Sequence, residues 1–132
     1  MMVEMELATR QREEMINITG MVREELKKQG VQDGICYVFV PHTTAGVTIN
    51  ENADSDVKRD ILNGFKAMVP DIPYRHVEGN SDAHIKASLV GSCVSVIVEK
   101  GELVLGTWQG IYFCEFDGPR RRKVYLKFIK AS

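Results

Sequence analysis

The sequence predicts a single α+β domain. Apolar residues alternate in several short runs, helical stripes separate only some of those runs, and the last third is strand-like throughout. The 132 residues fall within the ordinary length of one domain. A chain of this size buries about two-thirds of the surface it exposes when unfolded, enough for a core without staples. Strict strand–helix–strand alternation is absent, which argues against a doubly wound sheet.

Taken in order, Val3–Ala8 alternates apolar and charged residues, the period of a half-buried strand. After a polar turn from Arg10 to Glu13, Met15, Ile16 and Ile18 predict a second strand. Thr19 offers a helix N-cap, Val22 and Leu26 share a face four residues apart, and Gly30 stops the helix. Ile35–Val40 is a continuous apolar run, read as a buried central strand that Pro41 ends. Val47–Asn50 is a short strand after the polar loop His42–Gly46. Asn52 or Asp54 caps a helix with the stripe Val57, Ile61, Phe65 and Met68, closed by Pro70 and Pro73. A second short helix begins near Ser81 or Asp82, is expected to bury Ile85 and Leu89, and stops at Gly91. The strands Cys93–Glu99, Leu103–Leu105, Ile111–Phe116 and Val124–Ile129 follow, with turns at Lys100–Glu102 and Gly118–Pro119. About seven mainly antiparallel strands with two or three helices suggest a sandwich. Its exposed edges would be covered at little cost in a closed homo-oligomer.

Lys and Arg total 17 and Asp and Glu 18, giving a net charge of −1. That balance argues against a general nucleic-acid binder, which needs a basic face. The stretch from Gly118 to Ser132 is the local exception: it carries Arg120, Arg121, Arg122, Lys123, Lys127 and Lys130 and no acid. Cys36, Cys93 and Cys114 lie far apart in apolar runs and read as buried, reduced thiols. The first ten residues do not resemble a signal peptide, and no apolar run reaches membrane-spanning length. A cytoplasmic protein without membrane or nucleic-acid partners is expected.

Four polar stretches carry the functional candidates. Pro41–Asn52 delivers His42, Thr43 and Thr44 at one strand end and Asn50 and Glu51 at another; the alternative is a pair of hydroxyl-rich turns and a helix cap. Tyr74–His84 places His76, Glu78, Asp82 and His84 close together, an imidazole and carboxylate set of the kind that binds zinc. His76-Val77-Glu78 matches half of a zinc deaminase signature, but the Pro-Cys-x-x-Cys half is missing, and so is HExxH. The three histidines His42, His76 and His84 are assigned to one polar site. Gly106–Gly110 holds the only tryptophan, Trp108, either as core or as a stacking platform for a flat ring whose edge Gln109 reads. In Glu115–Arg122, a Gly-Pro turn precedes three arginines, either a solvated charge run or a fork for phosphate.

These stretches resemble the YjbQ family, small proteins labelled secondary thiamine-phosphate synthases. The similarity is carried by His42-Thr43-Thr44 through Asn50-Glu51-Asn52-Ala53-Asp54, by His76 with Asp82–Ser88, by Gly106–Gly110 and by Cys114–Arg120. The resemblance implies an α+β sandwich that forms a homotrimer with its polar site near subunit boundaries. It also implies a weak activity that joins a pyrimidine diphosphate to a thiazole phosphate. On that basis Glu51, His84 and Lys86 are the catalytic candidates. Thr43, Thr44, Asn50, Asp82, Trp108, Gln109, Arg120 and Arg121 would bind ligand, and His42, His76 and His84 a divalent metal, zinc or magnesium. Magnesium–diphosphate sites use acidic oxygen ligands, whereas three imidazoles suit zinc. Two other functions use the same residue types: a non-enzymatic binder of a small anionic or heterocyclic metabolite, and a metal-dependent hydrolase of a small phosphorylated or heterocyclic compound.

Overall fold

The computed structural model describes residues 1–70 and 72–131. Within them the chain runs β1 (Met2–Ala8), β2 (Glu14–Asn17), α1 (Thr19–Gln29), β3 (Asp33–Phe39), β4 (Ala45–Glu51), α2 (Ser55–Met68) and α3 (Ser81–Val90). Strands β5 (Cys93–Glu99), β6 (Glu102–Leu103), β7 (Gln109–Glu115) and β8 (Arg121–Lys130) complete it. A five-stranded sheet has the order β1-β8-β3-β5-β6 and a three-stranded sheet the order β2-β7-β4. Every pairing is antiparallel. The expected α+β class and mainly antiparallel strands are both found.

The main core draws on both sheets: Cys36, Val38, Val96, Val98, Leu126 and Phe128 from the larger, Val47, Ile111 and Phe113 from the smaller. Helix α1 adds Val22 and Leu26. A second cluster lies on the other face of the small sheet, where Tyr112, Cys114 and Phe116 meet Ala83 and Ala87 of α3 and Ile61 and Phe65 of α2. Strand β7 is therefore covered on both faces, and Gly110 through Glu115 are all buried.

Several local expectations need correction. Strand β3 is central in its sheet, but only alternate residues are buried; Ile35, Tyr37 and Phe39 point to solvent. Its apolar run reflects one face against the core and a second apolar face that a single chain leaves uncovered. The strand expected over Leu103–Leu105 is only the pair Glu102–Leu103. Thr19 does not cap α1, since position Ile18 precedes the helix. Thr19 is turned inward instead, where its Oγ1 accepts the Ile111 N–H at 2.8 Å and donates to Asn17 Oδ1. Of the two caps offered for α2, Asp54 is used, its carboxylate accepting the Asp56 N–H. Met68 lies exposed rather than in the packed stripe. Helix α3 buries Ala83, Lys86 and Ala87, and leaves Ile85 and Leu89 exposed. Close packing against β4 and β7 calls for small side chains at Ala83 and Ala87. Cys36 and Cys114 are buried, their thiols pushed up to about 12 by burial, but Cys93 is exposed at the first position of β5.

Candidate functional site

Strand β3 ends at Phe39, and the following segment carries Pro41 to Thr44 across the end of the small sheet. The lysine that follows Arg122 on β8 anchors it: the Lys123 N–H donates to His42 Nε2 at 2.9 Å. An imidazole that accepts at Nε2 carries its hydrogen on Nδ1 while neutral. Burial lowers the pKa of His42, and the charge of Arg122 lowers it further. His42 is thus held as a neutral ring with a fixed N–H donor.

Beneath it lies an ion pair the sequence did not reveal. Arg122 Nε donates to Glu115 Oε1 at 2.8 Å, and Arg122 Nη2 donates to Glu115 Oε2, a bidentate fork. Both side chains are buried, at 5% and 0% exposure. Arg122 Nη2 also donates to Thr44 Oγ1 at 2.8 Å, Thr9 Oγ1 donates to Glu115 Oε1 at 2.7 Å, and the Asp117 N–H reaches Oε2 at 3.0 Å. Burial alone would raise the pKa of Glu115, but the hydrogen bonds from Arg122, Thr9 and Asp117 outweigh it and hold the carboxyl below its usual range.

The rim of the hollow is a second network. Asp117 accepts from Asn80 Nδ2 and from Arg120 Nη2, both at 2.9 Å. Burial would raise its pKa, yet these bonds and the charges of Arg120 and Arg12 lower it. The other amide atom of Asn80, Oδ1, is buried with no hydrogen-bond partner, an acceptor available to a ligand donor. Gly118 lets this turn come close to the N-terminal segment, because a Cβ there would lie 2.2 Å from the Gln11 carbonyl oxygen. Its N–H donates to the Arg12 carbonyl at 3.0 Å.

The three histidines do line one hollow, of about 480 Å³, together with Thr44, Arg120 and Arg122. The rings of His76 and His84 meet edge to face, centroids 5.5 Å apart. They do not make a ligand set. His42 Nε2 is committed to Lys123, and among the described residues no three His, Cys, Asp or Glu side chains come together so as to hold a metal ion. The three histidines therefore do not fit the divalent metal, zinc or magnesium, expected of them.

Other candidates stand elsewhere. Asn50, Glu51, Trp108 and Gln109 occupy the opposite end of the β4–β7 ladder, where Glu51 faces Gln109, while Ala45 faces Glu115 at the histidine end. At ~3.3 Å per residue the two ends are about 20 Å apart. The Gln109 side chain is turned back on its own loop through Oε1, which accepts the Gly106 N–H at 2.8 Å. Gly110 makes room for Asn52, whose Cβ would lie 2.8 Å from a Cβ placed there. Trp108 is exposed rather than core. Lys86 and Asp82 leave the histidine hollow, since they lie on the other side of α3 from His84. Lys86 is buried against Glu13 at 2.5 Å, with Asp82 at 3.6 Å, and Arg12 reaches Asp82 at 3.1 Å. Arg121 alternates to the outer face of β8, almost fully exposed and 3.9 Å from Glu6. Of this ion pair only the burial of Arg122 was within reach of the sequence: Arg122, Val124, Leu126 and Phe128 alternate along one strand, so the arginine shares the buried face and needs an acid that the alternation does not name.

Fold and site together define a two-sheet α+β protein with a polar hollow at one end of its small sheet. The family model described as UPF0047 protein YjbQ-like matches residues 3–131. The chain belongs to that family. A UPF0047 protein of Methanocaldococcus jannaschii is 51% identical over 130 residues, covering 98% of this chain and 94% of the relative. The UPF0047 protein YugU of Bacillus subtilis is 52% identical over 132 residues, covering 98% and 99%. Among solved structures, an uncharacterized conserved protein of this family from Clostridium acetobutylicum superposes with a TM-score of 0.94 at 57% identity, covering 96% of this chain and 99% of that one. A protein of unknown function from Sulfolobus solfataricus gives a TM-score of 0.94 at 32% identity, covering 98% and 96%.

Proposed function

We propose that the histidine hollow binds the phosphate group of a small metabolite. The observation that carries this reading is His42, locked by the Lys123 N–H as a neutral ring whose Nδ1 keeps its hydrogen, on a hollow it shares with Arg120 and Arg122. Fixed N–H and guanidinium donors are what a phosphate dianion requires, and donors already in place lose little freedom on binding. Inorganic phosphate titrated calorimetrically into the protein at pH 7 is expected to bind, and Arg120→Ala to weaken it about tenfold. His42→Ala weakens it by a similar factor. Unchanged affinity in both variants would sink the reading.

A second reading is the coupling of a pyrimidine diphosphate to a thiazole phosphate that the resemblance implies. In its favour is a neighbouring hollow of about 490 Å³ that shares His42, Thr43 and His84 with the first, room for two ligands side by side. Purified protein given magnesium and both phosphorylated precursors should yield thiamine phosphate above background, and His84→Ala should lower the yield. No product under these conditions ends this reading and leaves phosphate binding in place.

We also infer a homotrimer in the cytoplasm. The exposed apolar face of the five-stranded sheet supports self-association, and three free cysteines, two of them buried, suit a reducing compartment. No helix among the described residues is long and apolar enough to cross a membrane.

A further inference from the structure

The two hollows that meet at His42, Thr43 and His84 differ in chemistry. The first is charged: Arg120, Arg122, Asp117 and Glu78 all reach it. The second has no ionisable side chain of its own apart from the shared imidazoles; its remaining walls are Ala45, Ala87, Ser88, Gly91 and Ser92. It is also held rigid. The Val47 N–H donates to the Gly91 carbonyl at 3.0 Å, and a Cβ on Gly46 would lie 2.6 Å from that oxygen, so β4 and the link from α3 to β5 are in direct contact. Gly91 has φ +96°, a conformation other residues rarely adopt, and nothing lies within 4 Å of where its Cβ would point. The space is thus open because its walls are small, and it lies next to the donors that suit a phosphate.

We infer that the second hollow is the specificity lobe of the site, and that the ligand is an organic phosphate with a compact, uncharged body. The phosphate sits against His42 and Arg120, and the body passes between His42 and His84 to lie on Ala45 and Ala87. This rests on the phosphate reading above and adds to it the class of molecule that carries the phosphate. A free inorganic ion would leave the lobe filled with water. A second charged group in the lobe would find no partner among its walls.

Phenyl phosphate and inorganic phosphate, titrated separately into the protein, test the inference. Phenyl phosphate is expected to bind at least tenfold more tightly. Ser88 is exposed on the lobe's helical wall, so Ser88→Phe should fill the space without entering the core. In that variant the advantage of phenyl phosphate disappears while inorganic phosphate binds within twofold of its original affinity. Ser92→Phe, on the opposite wall, gives the same pattern and stands in if the first variant melts early. Equal affinity of the two probes for the unaltered protein overturns the inference and leaves the phosphate reading standing. So does an advantage that survives both variants. Failure of both probes to bind removes the phosphate reading, and the inference falls with it.

Discussion

Glu115 and Arg122 show what burial does to two residues that look like part of a surface charge run. In water such a pair is worth at most about 1 kcal/mol. Inside the protein each has lost its hydration, so removing one leaves the other uncompensated. Glu115→Ala or Arg122→Ala is therefore expected to lower unfolding stability by about 3–5 kcal/mol in urea titrations. Exchanging both for apolar residues of similar volume should cost much less than the two losses added together. The pH dependence has a defined sign. The folded-state pKa of Glu115 is lowered, so its contribution is complete above the ordinary glutamate range. That contribution drains away as the pH falls through that range toward the folded value. Melting temperatures should fall on acidification in the native protein and fall less in the apolar double variant. An equal fall in both would remove Glu115 from the account.

Helix α3 decides which candidates meet. Its packed side is Ala83, Lys86 and Ala87, so His84, a third of a turn from Ala83, faces the hollow, and Lys86 points away to Glu13. Packing by small residues brings the helix close to β4 and opens the space beside it. The pattern reverses what hydrophobicity alone suggests, since Ile85 and Leu89 lie outside. In consequence Leu89→Ser should change the melting temperature by no more than a degree or two in the isolated chain, whereas Ala87→Leu should lower it by several degrees, since overpacking costs about 1–3 kcal/mol. Equal effects measured by calorimetry would mean that the packed face is assigned wrongly. The alternation on β8 has a comparable consequence, sending Arg122 inward and Arg121 outward although they are neighbours in sequence.

At the scale of the molecule, the outer face of the large sheet is the unfinished feature. Ile35 stands between Ile97 and Ile129 in register, and Phe39 beside Tyr125, with Tyr37 between them. Ile97 and Ile129 are 61% and 44% exposed, a contiguous apolar face of the kind the proposed trimer would cover. Light scattering after size exclusion should give three times the chain mass. Ile97→Asp should reduce it toward one while circular dichroism stays unchanged. A monomer in the unaltered protein would contradict the assembly.

Much of this protein was legible in its sequence. The period of apolar residues located nearly every strand and all three helices, because period 2 and period 3.6 are imposed by backbone geometry and need no partner. Residue chemistry likewise pointed to His42, His76 and His84 as neighbours, and they share one hollow. What the sequence could not decide is which polar residues share a place. Asn50 and Glu51 follow closely on His42, Thr43 and Thr44, yet an antiparallel ladder carries them to its far end. Lys86 lies two residues from His84, yet a helix turns it to the other side. The tertiary structure alone paired Glu115 with Arg122 and engaged the His42 lone pair with a backbone N–H from β8. Both depend on register between segments distant in the chain, and burial then fixes protonation and hydrogen bonding to match.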